Sequence, residues 1–371
     1  KSACGCVHAG EMTKWFDTNY HYIVPEFEEG MTFKLSSTKI FDEFEEAKAQ
    51  GIMTRPVLVG PVTYISRGKA KFEGFQKAEW VRKVLPVYEE ILKKLAAAGA
   101  EWVQLDEPVM VLDICDITKG NLQHAYERLS KCGVKILVAT YFDSLRGNMD
   151  TAFRLPVDAI HIDLCRGAGQ ANTTFNKPDA ILDEALSLAG DKALSIGVID
   201  GRNIWRNDLS VTLAQLEKAV AKLGKDRVFV APSCSLLHTP VDLAQETALD
   251  AEAKSWMAFA TQKLDEIAAL AKGINAGRSA IAETLKASDE AQQNRRASKR
   301  LHNGAVAARM SSITPDMKKR KSPFAQRQKQ QHAALKLPKF PTTSIGSFPQ
   351  TPDIRKARAD FKAGKIPEPQ Y

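Results

Sequence analysis

Long apolar runs are missing from this 371-residue chain, and no stretch approaches the roughly 18 residues that a membrane-spanning helix needs. The opening residues, Lys1 to Gly10, lack the apolar centre of a secretory signal. Cysteine is sparse: six residues, at 4, 6, 115, 132, 165 and 234, are too few and too scattered for a disulfide framework. These absences predict a soluble chain of a reducing, cytoplasmic compartment. No glycine-rich phosphate loop occurs, which removes the usual ligand signature of an open doubly wound sheet. Acidic residues nearly vanish from 291–340, where thirteen Lys/Arg face one acid, Asp316. The rest of the chain holds 39 basic and 43 acidic residues, so that one segment carries the whole excess of the +8 formal charge. It also lacks aromatic residues for stacking on bases beyond Phe324 and Phe340. A solvated basic linker is therefore expected, with no nucleic-acid and no membrane partner. Position 1 is Lys rather than Met, and the chain reads as a piece of a longer protein.

The stretch that organises what is present is Glu101-Trp-Val-Gln-Leu-Asp-Glu-Pro108. It reads as a buried strand that ends in two adjacent carboxylates and a proline, which cannot continue a ladder. Carboxylates at the carboxyl end of a parallel strand stand where barrels and doubly wound sheets keep their chemistry. Read without function, Asp106 caps a turn and Glu107 is solvated. Around this stretch the pattern alternates. A charged helix at 40–51 precedes a buried strand at 55–64, and a long amphipathic helix at 75–98 leads into the central strand. Strands at 134–141, 159–164, 193–200 and 228–234 then alternate with helices at 121–131, 178–189 and 211–223, and a long final helix is expected at 242–271. Polar residues close several strands: Thr140 and Asp143, Asp163, Asp200 and Arg202, Ser233 and Cys234. Such a ring is what a (β/α)8 barrel presents at its active face. With six strands in view, the expected architecture is an α/β (β/α)8 TIM barrel over 1–271 lacking its first units. A basic helical linker with solvent-facing helices follows over 272–340, and 341–371 looks like the first strand and helix of a second barrel.

Taken together, EMTKWFDTNYHYIVPE (11–26), PVLVGPVTY (56–64), WVQLDEP (102–108), DGRNIW (200–205), SCSLLH (233–238) and TTSIGSFPQT (342–351) resemble the cobalamin-independent methionine synthase family. The resemblance runs from about Glu11 to Tyr371 and implies two (β/α)8 barrels, zinc in the second, and no cobalamin. It implies methyl transfer from 5-methyltetrahydropteroyltriglutamate to L-homocysteine, in which zinc makes the thiol a thiolate nucleophile and a general acid protonates the leaving nitrogen. The family's zinc ligands and acid would lie beyond Tyr371. This chain would then be inactive alone, contribute folate binding, support the C-terminal barrel of the same protein, and be monomeric.

Within the resemblance, Lys14 matches a folate-holding lysine, where a flexible ammonium suits tail carboxylates. Ile345, Gly346 and Ser347 match the segment that binds homocysteine or methionine. Gly60 to Thr63 and Asp106 to Pro108 look like first-barrel copies of second-barrel motifs, relics of a duplication. Cys234 stands where the second barrel has a zinc thiolate, but Thr140-Tyr141-Phe142 replaces the expected His-x-Cys pair, so no metal ligand and no catalytic residue is expected here. Cys4, Cys6 and His8 lack a fourth ligand. Ser235, Cys234 and His238 lack an orienting acid, His161 reads as structural, and Trp205 and Trp256 as packing residues. Two other readings compete: a non-catalytic scaffold barrel, and a decarboxylase-like barrel enzyme using Asp106 and Glu107.

Overall fold

The computed structural model describes residues 10–165, 178–342 and 351–371. A short antiparallel hairpin, β1 (Met12–Lys14) and β2 (His21–Ile23), opens it. There follow β3 (Glu26–Phe27), α1 (Lys39–Ala49), β4 (Val57–Val59), α2 (Pro61–Ser66), β5 (Lys69–Ala70, beside β3), α3 (Lys77–Ala97) and β6 (Trp102–Asp106). The alternation continues through α4 (Asp116–Leu129), β7 (Lys135–Ala139), α5 (Met149–Arg154), β8 (Ala159–Asp163), α6 (Pro178–Leu188), β9 (Ala193–Ile199), α7 (Leu209–Leu223) and β10 (Val228–Pro232).

The main sheet is parallel throughout, in the order β10-β9-β8-β7-β6-β4. Strands that follow one another in the chain lie side by side, with none of the reversal that defines a doubly wound sheet. With right-handed crossovers, such an order sends every helix to one face and curls the sheet towards a barrel. Side chains follow the two-residue period. Val103, Leu105, Ile136, Val138, Ile160, Ile162, Leu194 and Ile196 face outward into the helix-covered core. Leu137, Ala139, Ala159 and Ala193 face inward, into a second cluster that also holds Trp102 and Phe229. Trp102 on β6 and Phe229 on edge strand β10 meet edge to face at 5.3 Å, which a flat sheet of this order would not allow. The fold is the α/β barrel class expected from the sequence.

One buried contact joins sheet to helix. Glu107 is fully buried and accepts from the amides of Val62 at 3.1 Å and Thr63 at 2.7 Å, at the start of α2, and from the Tyr126 hydroxyl at 3.2 Å. A carboxylate from a neighbouring strand thus caps α2, where unpaired amides and the helix dipole favour an anion. Burial pushes the carboxyl up to about 7, against the pull of those donors. Gly60 makes the approach possible, because a Cβ there would lie 2.2 Å from Cδ of Glu107.

Three expectations change. The 55–64 stretch is not one buried strand: β4 is a half-exposed edge strand, with Val57 51% and Val59 40% accessible, and Pro61 starts a helix. Proline at the first helical position fits either reading, so the apolar run hid the boundary. The long helix at 242–271 is broken into a 3-10 turn at Leu243–Gln245, α8 (Ala251–Ser255) and α9 (Ala260–Ala276). Asp242 and Asp250 cap the first two starts with their own side chains. Finally α10 (Ala282–Ala297) is not solvent-facing all round. It buries Ser288 and Ala291, ties Ser288 Oγ to the Asn207 carbonyl, and pairs Asn294 with the Trp256 indole at 2.7 Å.

The chain divides into two compact units, Lys1–Leu301 and His302–Tyr371. The second carries α11 (Gly304–Ser311), α12 (Phe324–Leu335) and α13 (Pro352–Lys362), with Phe361 stacked on Tyr371 at 4.6 Å.

The same substitution should act with opposite sign at two glycines. Gly60→Ala displaces the Glu107 carboxylate from two buried amides and should lower unfolding free energy by about 3 kcal/mol. Gly120→Ala, inside α4 with open space around it, should raise it by about 0.5–1 kcal/mol. Urea denaturation of both variants checks this, and equal small effects would remove Gly60 from the argument.

Candidate functional site

Three of the sequence motifs meet at the carboxyl ends of the strands. The turn of the β1–β2 hairpin, the DGRNIW loop after β9 and the SCSLLH loop after β10 line one pocket of about 460 Å³, through Asp17, Thr18, Asn19, Tyr20, Arg202, Leu237 and His238. The 11–26 motif forms this hairpin, closed by Trp15 N to Tyr20 O at 2.8 Å and by the Thr18 hydroxyl donating to Trp15 O at 2.6 Å. Trp15 and Tyr22 share one face of it, edge to face at 5.0 Å, and strands of three residues each are too short to show a two-residue period in the sequence. Trp15 and Phe16 pack on the inward-facing cluster, Phe16 against Phe142 at 5.7 Å. Tyr20 meets the His238 ring edge to face at 6.4 Å.

The DGRNIW loop is built by its own side chains. Asp200 accepts from the Arg202 amide at 2.8 Å and from the Asn203 side chain at 2.9 Å. Lys263, only 1% accessible, reaches from α9 to Asn203 Oδ1 at 3.2 Å and Trp205 O at 3.1 Å. Burial lowers its pKa. Arg202 then projects to the hairpin, donating to Asp17 Oδ1 at 2.7 Å and Asp17 O at 3.1 Å, and lies 5.0 Å from the Phe142 ring.

Below the mouth the sheet interior holds a second cavity of about 430 Å³, lined by Arg55, Gln104, Asp106, Tyr141, His161, Ser195 and Cys234 among others. Asp106 accepts from Gln104 at 2.8 Å and from Tyr141 at 2.9 Å, and burial raises its carboxyl to about 6. Asp106 and Glu107 therefore do not share a cleft, since successive residues of a strand point to opposite faces. His161 places Nδ1 2.9 Å from Ser195 Oγ and Nε2 3.2 Å from Ser233 O. The carbonyl can only accept, so Nε2 carries the proton and Nδ1 accepts from the serine.

Lys14 lies on β1, exposed and opposite His21, and is not among the residues that line the mouth. Ile345, Gly346 and Ser347, like Cys4, Cys6 and His8, lie outside the described residues. Ser235 caps the turn at Leu236–His238 by accepting from the Leu237 amide. Trp205, with Arg295 4.1 Å over its ring, and Trp256 are packing residues as expected. Arg55, Gln104 and Lys263 were not singled out from the sequence. Lys263 had a signal, because it interrupts the apolar spacing of Phe259, Ile267 and Leu270 on one face of α9.

Burial holds His161 down to about 4, against an ordinary 6.5. Between those values the unfolded chain takes up a proton that folded His161 refuses, so stability should fall as pH drops from about 6.5 towards 4, by up to about 3 kcal/mol. The contribution is fully present above that window. His161→Asn should flatten this slope in denaturant titrations, and an unchanged slope would mean that other groups produce it.

A family model described as "Cobalamin-independent synthase, N-terminal domain" matches residues 3–224, more than half of the chain, and "Cobalamin-independent synthase, Catalytic domain" matches residues 340–371. The chain is 49% identical, over its whole length, to the 5-methyltetrahydropteroyltriglutamate–homocysteine methyltransferase of Caulobacter vibrioides, covering 48% of that protein. It is 50% identical, over 98% of its length, to the protein of the same name from Nitrobacter winogradskyi, covering 46% of it. The chain thus spans about half the length of the curated relatives it matches. Among solved structures, a B12-independent methionine synthase from a Shewanella strain, in complex with selenomethionine, superposes with TM-score 0.49 at 18% identity over 75% of each chain. The sequence matches alone carry the assignment: the chain belongs to the cobalamin-independent methionine synthase family.

Proposed function

We propose that this chain is part of a methyltransferase that moves a methyl group from 5-methyltetrahydropteroyltri-L-glutamate to L-homocysteine, and that its share of the work is to bind the folate's glutamate tail. The observation that carries the reading is the identity of about half of all residues with methyltransferases of that name, across the whole chain. The motif-built mouth supports it, because the hairpin that lines it also carries an exposed lysine, whose flexible ammonium suits an anionic tail. Ile345, Gly346 and Ser347 remain proposed contacts for the amino-acid group of homocysteine or methionine. The further proposals are a barrel over 1–271, a linker over 272–340, the opening of a C-terminal barrel over 341–371, a monomer, and a cytoplasmic setting that the free thiols of Cys115, Cys132, Cys165 and Cys234 suit.

Zinc enters the proposal only through ligands that this chain does not supply. Among the described residues no three His, Cys, Asp or Glu side chains converge. The chemistry of the nearest candidates is also wrong: burial pushes the Cys234 thiol up to about 12, and Asp163 accepts from the amides of Phe142 and Cys165. His161 has both nitrogens engaged. That donor set does not fit zinc, and no step is assigned to it. The decarboxylase-like alternative finds less support, because Glu107 faces α2 rather than a cavity.

Lys14→Ala in the intact gene product should weaken binding of triglutamyl folate by about two- to fivefold, the range of an exposed ion pair. Monoglutamyl folate should change less, and added salt should shrink the difference. Equal losses for both ligands would assign Lys14 to packing. Separately, the 371-residue chain dialysed against a mild chelator should retain no stoichiometric zinc, and one zinc per chain in metal analysis would contradict the donor-set argument.

A further inference from the structure

The hairpin that carries Lys14 is fastened to the barrel at its turn, and we propose that Arg202, through Asp17, is the positioning residue that sets where Lys14 stands, and so tunes selectivity for polyglutamylated over monoglutamyl folate. The inference rests on the folate-tail reading of Lys14 and goes beyond it by naming the group that aims the lysine.

Four observations support it. First, the contact spans 185 residues of sequence and uses both terminal guanidinium nitrogens, one on the Asp17 carboxylate and one on the Asp17 carbonyl. A planar guanidinium held at two points fixes orientation as well as distance. Second, the side-chain exposures are unequal: Arg202 is 9% accessible and Asp17 is 68% accessible. The arginine belongs to the barrel frame and holds the exposed side of a turn whose Trp15 and Phe16 pack on the inward-facing cluster. Third, Arg202 is itself held in place, by the Asp200–Asn203 turn at its base and by the Phe142 ring 5.0 Å from its guanidinium. Fourth, the fastened turn is strained. Phe16 and Phe142, which pack together, have φ of 52° and 83°. Bulky residues persist in that region only when their surroundings impose it, and they gather at functional sites.

The geometry from latch to lysine is short. Lys14 is the last residue of β1, and the chain turns at once through Trp15 and Phe16 to Asp17. The turn's internal hydrogen bonds, Trp15 N to Tyr20 O and Thr18 Oγ1 to Trp15 O, make it move as a unit. The strands of the hairpin are tied independently of that contact, by the Tyr22 hydroxyl in mid-β2 donating to Arg67 O at 2.9 Å and, before β1, by the ion pair of Glu11 with Lys69. Loss of the Arg202 contact should therefore leave the hairpin attached and folded, with a wandering tip. An ammonium that wanders keeps its charge but loses its fixed aim at one tail carboxylate.

The test measures the ratio of triglutamyl to monoglutamyl folate affinity in the intact gene product, for Asp17→Asn, Arg202→Lys, Lys14→Ala and the Asp17→Asn/Lys14→Ala double variant. Asp17→Asn, on the exposed side of the contact, is the primary variant, because substitution of Arg202 risks the fold. Asp17→Asn should lower the ratio about two- to threefold with an unchanged melting temperature, and Arg202→Lys should lower it less. In the Lys14→Ala background, Asp17→Asn should have no further effect. If Lys14→Ala lowers the ratio while Asp17→Asn does not, the latch is wrong and the folate-tail reading stands. An Asp17→Asn effect that persists in full without Lys14 also overturns the latch. If Lys14→Ala leaves the ratio unchanged, the folate-tail reading falls and takes the latch with it.

Discussion

A carboxylate buried between a sheet and a helix destabilises a protein unless its oxygens find donors, and Glu107 finds three: two amides at the start of α2 and the Tyr126 hydroxyl. The joint between β4, α2 and β6 depends on that contact. It fixes the first helix after β4 against the end of β6, and it requires a residue without a side chain at position 60. The Thr63 hydroxyl completes the joint by accepting from the Val109 amide at 3.3 Å. The two motifs Gly-Pro-Val-Thr and Asp-Glu-Pro are thus the two halves of one structural joint.

Adjacent residues of β6 have opposite fates because a strand alternates its faces. Glu107 turns outward to the helix, and Asp106 turns inward, where Gln104 and Tyr141 satisfy it. The interior polar residues largely satisfy one another, His161 included. At the mouth the arrangement differs: a hairpin with a strained turn lies across the loops after β7, β9 and β10, and presents exposed polar and cationic groups around a pocket. Satisfied polarity sits inside the barrel, and exposed polarity at its rim.

Much of this was legible in the residues. The strand–helix alternation, the carboxyl-end polar ring and the family motifs pointed to a parallel α/β barrel, because near-continuous Val, Ile and Leu runs have few other homes. The link between Gly60 and Glu107 was not legible, since it joins positions 47 residues apart through the absence of a Cβ. The hairpin was hidden because its strands are three residues each, too short for a two-residue period to show. The break at 242–271 was signalled by Asp242 and Asp250, whose capping competes with an apolar helical period that runs through them. Gln104 was legible only once the strand was fixed, since it shares the inward face of Asp106 two residues away, and Arg55 reaches that face only because β4 pairs beside β6.

The central claim is that folate contacts the rim hairpin while the carboxylates of β6 hold the fold. Amide hydrogen exchange of the intact gene product, with and without triglutamyl folate, tests it most directly. The account predicts slower exchange on binding at residues 13–22 and 201–205, and no change at Val62, Thr63 or 104–107. Protection concentrated at 104–107 and 137–141, with the hairpin unaffected, would put the ligand inside the barrel and contradict it.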